Sequence, residues 1–233
     1  GEEGEEKKEE VKEEVKAEAV VEQIADGVRR VKIGGEDVEM DWATLESVLQ
    51  FLLQFFQSPA HVAELALDAP LCRRLADLIE PTAPSGVVGV TVHCLNAVVD
   101  GGPDHALSPT HSVDRLMACL NDTALVALEG DMLWLVLSLT VAPADVDRLI
   151  TKLDRGIPRA LVHGHPFAKT AALELCRRIS QRGIEGQQAL ASSGCLGALE
   201  AVGATHSDLA TAARRIHSSV VHRLSQPVVA TPQ

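Results

Sequence analysis

The sequence predicts an all-α chain, a right-handed α-solenoid of about four to five stacked helical repeats. Three observations predict it. Three segments carry nearly the same wording across a helix break, namely Asp68-Ala-Pro-Leu-Cys-Arg-Arg-Leu75, Asp154-Arg-Gly-Ile-Pro-Arg-Ala-Leu161 and Ser192-Ser-Gly-Cys-Leu-Gly-Ala-Leu199, and Ser112-Val-Asp-Arg-Leu-Met117 shares the second half. Aligning Leu75, Leu116, Leu161 and Leu199 gives spacings of 41, 45 and 38 residues, and a period near forty marks helical repeats. Composition agrees: Tyr is absent and only 3% of residues are aromatic, whereas sandwiches and barrels lean on aromatic and β-branched residues.

The first 22 residues hold ten Glu and four Lys, half of the chain's net charge of −12. So few apolar groups do not offset the ordering entropy, so residues 1–40 are expected to form an acidic, largely flexible extension. Within it, Val28-Arg-Arg-Val-Lys-Ile-Gly34-Gly35-Glu-Asp-Val-Glu-Met40 alternates with period two, which predicts a short hairpin or an extended linker. It is the only strand signal.

The repeat domain is expected over 41–224. Asp41 caps a helix whose apolar residues Leu45, Val48, Leu49, Leu52, Phe55 and Phe56 recur at three and four. Ser58-Pro59 closes that helix and opens the next. Residues 61–69 and 71–79 read as two helices separated by Pro70. Residues 87–99 form a helix closed by Asp100-Gly-Gly-Pro103. Helices follow at 111–120, 123–128 and 131–141, and Ala142-Pro143 breaks the chain. Residues 145–153 lead through Arg155-Gly156 into 157–162. His163-Gly-His165-Pro166 is the next break, then come helices at 167–181, 187–192, 195–202 and 207–224. Residues 225–233 read as a flexible polar tail.

Several function classes are excluded as expectations. The acidic balance argues against nucleic acid or an anionic membrane as ligand. The longest apolar run, 132–142, is about half of the roughly 20 residues a membrane span needs. No secretory leader is expected in a chain that opens Gly1-Glu2-Glu3, so a cytoplasmic or nuclear location is expected. Cys72, Cys94, Cys119, Cys176 and Cys195 are far apart and embedded in apolar helical runs. They read as buried reduced thiols rather than a zinc or redox site. His163-Gly-His165 has no further ligand at helical spacing and reads as an inter-repeat turn. Ser85-Gly86 and Ser193-Gly194 lack the strand-to-helix elbow of a nucleophilic serine, and Gly101-Gly102 lacks the Lys of a phosphate loop. The expectation is a non-enzyme with no cofactor and no metal.

Asp145-Val-Asp-Arg-Leu-Ile-Thr-Lys-Leu-Asp-Arg-Gly156-Ile-Pro158-Arg-Ala-Leu161 resembles the first helix of an armadillo repeat running into its Gly-x-Pro-x-Leu second helix. Gly186-Gln-Gln-Ala-Leu-Ala-Ser-Ser-Gly194-Cys-Leu-Gly-Ala-Leu199 repeats that layout without the Pro. Asp131-Met-Leu-Trp134-Leu-Val-Leu-Ser138 resembles the family's third helix, with Trp134 where peptide-binding members carry Trp and Ser138 where they carry Asn. Asn96 is a candidate for that Asn one repeat earlier, but Val92 stands in place of the Trp. The likeness spans about residues 42–224, and the complete Trp-x-x-x-Asn ladder of the nuclear-import receptors is absent.

That resemblance implies long third helices lining one concave face, here 45–57, 87–99, 131–141, 167–181 and 209–224. The candidate partner-binding residues on it are Asn96, Trp134, Ser138, Glu174, Arg177, Arg178, Arg214 and Arg215. Trp134 is read two ways: as core, or as an exposed ring holding a partner's aliphatic stems. The arginine pairs are read either as solvated faces or as a basic patch for an acidic segment, the chain's own tail included. The favoured function is an interaction module that grips an extended peptide or helix of another protein, as adaptor or scaffold. The alternative is a co-chaperone similar to the small acidic armadillo nucleotide-exchange factors of heat-shock ATPases. An assembly or cytoskeletal subunit is a third option.

Overall fold

The computed structural model describes residues 21–23, 28–33, 36–101, 107–205 and 207–226. The acidic segment before residue 21 and the tail 227–233, both expected to be flexible, lie outside the described residues. By packing, the chain divides into two units, Gly1–Phe51 and Leu52–Gln233. The sequence reading set its boundary near residue 41, because composition marks where a helix starts rather than which neighbours its residues find.

In the first unit, β1 (Val21–Gln23), β2 (Val28–Ile33) and β3 (Glu36–Asp41) form an antiparallel sheet in the order β1-β2-β3. β2 and β3 pair from Val28 opposite Asp41 to Ile33 opposite Glu36, which is the expected hairpin flanking Gly34-Gly35. β1, which pairs Val21 with Val31, was not expected; three residues are too few for an alternation to show. Asp41 then caps α1 (Trp42–Phe55), its Oδ1 accepting from the Thr44 N–H at 2.7 Å. That bond holds the Asp41 carboxyl below its ordinary range.

The second unit is helical throughout its described residues. After α1 come α2 (Pro59–Leu65), α3 (Ala69–Asp77), α4 (Ser85–Asp100) and α5 (Pro109–Leu120), then a 3₁₀ segment, Thr123–Leu128. Next are α6 (Glu129–Leu139), α7 (Pro143–Ile150), α8 (Gly156–His163), α9 (Pro166–Ser180), α10 (Gly183–Ser192), α11 (Cys195–Gly203) and α12 (Ala210–Leu224). Prolines sit in the first turns of α2, α3, α5, α7 and α9, where a missing N–H costs no helical bond. Pro70 is one of them, which corrects its reading as a separator. The break precedes it, and Asp68 Oδ1 caps α3 through the Leu71 N–H at 2.9 Å. Residues 123–128 are 3₁₀ rather than α, a tight connector between two α-helices. Gly194 turns α10 into α11 at φ +84, a backbone that favours glycine.

Packing follows the sequence order in layers. α4 packs on α6, α6 on α9 and α9 on α12, while α3 packs on α5, α5 on α8 and α8 on α11. The four leucines of the sequence alignment lie on the second of these series. Leu75 is 2% exposed, and Leu116, Leu161 and Leu199 are fully buried. Where α8 meets α5 the backbones approach closely, and a Cβ on Gly156 would lie 2.8 Å from the Leu120 carbonyl oxygen. The Gly156 N–H donates to Asn121 Oδ1 at 3.0 Å. Gly156 is thus glycine because another helix occupies the space.

Polar contacts repeat with the layers. His111 meets Asp77, Arg148 meets Asp114 and Arg182 meets Asp147, at separations of 34, 34 and 35 residues. Such half-exposed pairs each contribute little stability, but their recurrence fixes one helix group in register on the last. All five cysteines are free and buried, and burial pushes the Cys94 and Cys119 thiols up to about 12. No described helix is long and apolar enough to cross a membrane.

Candidate functional site

Trp134 sits on the open side of α6. Met132, Leu133, Leu135, Val136, Leu137 and Leu139 are buried, while Trp134 is 36% exposed and Ser138, one turn on, is half-buried. Six apolar neighbours saturate the helix's inner faces and leave 134 and 138 at the spacing of four that defines its remaining face. Trp134 is thus outside the fully buried core, its ring partly exposed.

The ring is not isolated. Phe167, in the first turn of α9 and 43% exposed, lies across from it with ring centroids 5.5 Å apart and planes tilted by 34°. Offset aromatic pairs of this kind contribute about 0.5–1.5 kcal/mol beyond their area. Gly130 makes the room, since a Cβ there would come within 3.1 Å of the Phe167 ring. Phe167 was missed as a site residue. Its sequence signal is an aromatic placed directly after a His165-Pro166 helix start, where a side chain points outward as readily as into a core.

Beside the pair lies a cavity of about 200 Å³ lined by Val126, Gly130, Asp131, His163, His165 and Phe167 among others. Glu129 borders it, but its carboxylate is 2.9 Å from Arg159 Nε and buried in that pair. Asp131 faces His93 Nε2 at 3.4 Å. Among the described residues, no three His, Cys, Asp or Glu side chains gather at metal-binding geometry.

Asn96 approaches from α4. Its Nδ2 donates to the Asp131 carbonyl at 3.2 Å, and its Oδ1 is buried without a partner. Asn96 therefore holds the start of α6 and brings it against α4, while keeping one unused acceptor beneath the site. Asn96 lies on α4, and Trp134 and Ser138 lie on α6, which packs against it.

The arginines divide differently from the expectation. On α9, Glu174 binds Arg177 through both carboxylate oxygens, at 2.7 and 2.6 Å, and also Arg178 Nε at 3.4 Å. The Arg177 hydrogen bonds chiefly hold the Glu174 carboxyl below its usual range. Arg178 turns its Nη1 to the Leu137 and Thr140 carbonyls at the end of α6, at 2.7 and 2.9 Å. Arg214 does the same for α11, its Nη1 donating to the Gly203 carbonyl at 3.0 Å. Both satisfy orphan carbonyls of a helix end, where a cation also complements the dipole. Arg215 is exposed on α12. So Arg178 and Arg214 are engaged by the fold, Arg177 is paired with its neighbour, and Trp134 with Phe167 forms one partly exposed aromatic pair.

The chain matches no known family model, and no curated protein is similar to it at a significant level.

Proposed function

We propose that residues 52–224 form a short armadillo-like α-solenoid acting as a non-enzymatic protein-interaction module, with a partner segment held on the face of α4, α6, α9 and α12. The observation that carries this reading is the exposed Trp134–Phe167 pair, stacked across two successive helices of one packing series. A layered helical stack buries most of its apolar residues between neighbours, and an aromatic pair left on the surface is a candidate contact for a partner. Aromatic side chains in that position are what binding hot spots consist of.

Further support comes from the recurrence of contacts at 34 and 35 residues, and from α12. Its outer positions Thr211, Ala212, Arg215, Ser218, Ser219 and His222 are exposed and mostly polar, a face with few apolar groups for a further layer to cover. The partner is another protein, engaged through an extended or helical segment.

The test is an affinity capture from native cells with the full chain, run in parallel with the double variant Trp134→Ala and Phe167→Ala and with Ser218→Ala on the capping face. A partner retained by the parent and by Ser218→Ala, and lost from the double variant while its melting temperature is kept, supports the reading. Equal capture by all three removes the aromatic face from the function.

A further inference from the structure

The first turn of α9 has two flanks. One carries Phe167 against Trp134; the other borders a second cavity, of about 480 Å³, that extends to the end of α11 and the start of α12. Its apolar walls include Val162, Ala201, Val202 and Leu209, and its charged members are Lys169 and Asp208. Openings of this size and composition are typical of sites that take a ligand's apolar part and orient it with a few polar groups.

Lys169, half-buried at the rim of this cavity, is its one cation. It lies in the first turn of α9, where the helix presents partial positive charge and disfavours a cation. No described carboxylate forms an ion pair with it, although Glu174, Asp147 and Asp114 on neighbouring segments each pair with an arginine. Asp208 is exposed two residues before α12 and forms no ion pair with Lys169. The cavity thus has an apolar interior and, at its rim, a half-buried cation that no described carboxylate pairs.

We infer that this cavity receives a large apolar side chain of the bound peptide together with an adjacent carboxylate, which Lys169 holds. This rests on the reading of the α6–α9 face as a partner surface and extends it. The aromatic pair and the cavity lie on opposite flanks of one helix, about 10 Å across. One peptide crossing α9 reaches both, with its acidic residue on the α12 side.

The experiment is selection from a random dodecapeptide library with the full chain and three variants, each checked for an unchanged melting curve. Lys169→Glu reverses the charge. Ala201→Trp fills the cavity from an exposed helix position, and Trp134→Ala removes the aromatic anchor. The parent should enrich peptides with Asp or Glu beside Leu, Ile, Met or Phe. Lys169→Glu should bind the consensus peptide about tenfold or more weakly and enrich Lys or Arg in place of the acid, and Ala201→Trp should lose the apolar preference. A consensus unchanged in both cavity variants but lost in Trp134→Ala overturns the inference and leaves the aromatic reading standing. No enrichment by any of the four proteins overturns both.

Discussion

Arg178 on α9 donates through Nη1 to two carbonyls of α6 at once, Leu137 at 2.7 Å and Thr140 at 2.9 Å. One side chain therefore closes a helix in the preceding layer, adding a cation to an end where the Thr140 hydroxyl already donates to the Val136 carbonyl at 2.8 Å and no basic residue occupies the last turn. Arg159 does the equivalent for α5, donating to the Leu120 carbonyl at 2.7 Å while paired with buried Glu129.

Arg178→Ala should therefore lower stability by about 1–3 kcal/mol, the range for leaving buried polar groups without a partner. Arg177→Ala, which removes an exposed pair within one helix, should change it by about 0.5 kcal/mol or less. Urea melts of the two variants check this. Equal losses would mean that the α6 carbonyls find water once Arg178 is gone.

Leu75, Leu116, Leu161 and Leu199 occupy matching buried positions on α3, α5, α8 and α11. Substitution of any one by Ala should cost about 2–5 kcal/mol through lost transfer energy and a residual cavity. Losses below about 0.5 kcal/mol at two of them would show that the positions are not equivalent.

Gly156→Ala places a methyl group 2.8 Å from the Leu120 carbonyl oxygen and 3.0 Å from the Leu120 Cβ. Both belong to α5, and the first is backbone, so α8 must move off α5 to accommodate it. The expected cost is about 1–3 kcal/mol, as for other overpacked contacts. Gly197→Ala, whose Cβ meets nothing within 4 Å, is the control and should be neutral or slightly stabilising by helix propensity.

These positions show what was legible in the sequence. The helices and the four leucines follow from periodicity and repeated wording, because burial on one face forces apolar residues to recur. The hairpin around Gly34-Gly35 was legible for the same reason, at period two. Trp134 was legible as a candidate but not as exposed, since Leu-Trp-Leu-Val-Leu reads as core until the other residues are seen to fill every inner direction. The arginine roles were not legible. Whether Arg178 meets solvent or the carbonyls of a helix 38 residues earlier depends on how the layers stack, which no local pattern encodes.

Acid should weaken the layer contacts in a defined window. Hydrogen bonds from Arg148 and Arg182 hold the Asp114 and Asp147 carboxyls below their ordinary value of 3.8. A carboxyl whose folded pKa is depressed adds stability that is present above the unfolded value and lost as pH falls through the folded one. The melting temperature should therefore drop as pH falls below about 4, and the double variant Arg148→Ala, Arg182→Ala should show a shallower drop. Calorimetric scans from about pH 5 to about pH 2.5 decide it, and parallel curves for parent and variant would assign the acid sensitivity to other groups.

The binding surface makes the sharpest prediction. Trp134→Ala should weaken binding of a selected peptide by about 2 kcal/mol or more, as at an aromatic hot spot. The fold should lose less, because the ring is 36% exposed and its ring contact is with Phe167, itself on the surface. Phe167→Ala should reproduce most of the binding loss. The two together should cost less than the sum of the singles, since each removes the stacking partner that orients the other. Titration calorimetry across this double-mutant cycle, with thermal melts alongside, gives both quantities. If the melting temperature falls steeply in Trp134→Ala while the affinity of the folded fraction is unchanged, the pair is a packing contact between α6 and α9, and the partner surface lies on another face of the stack.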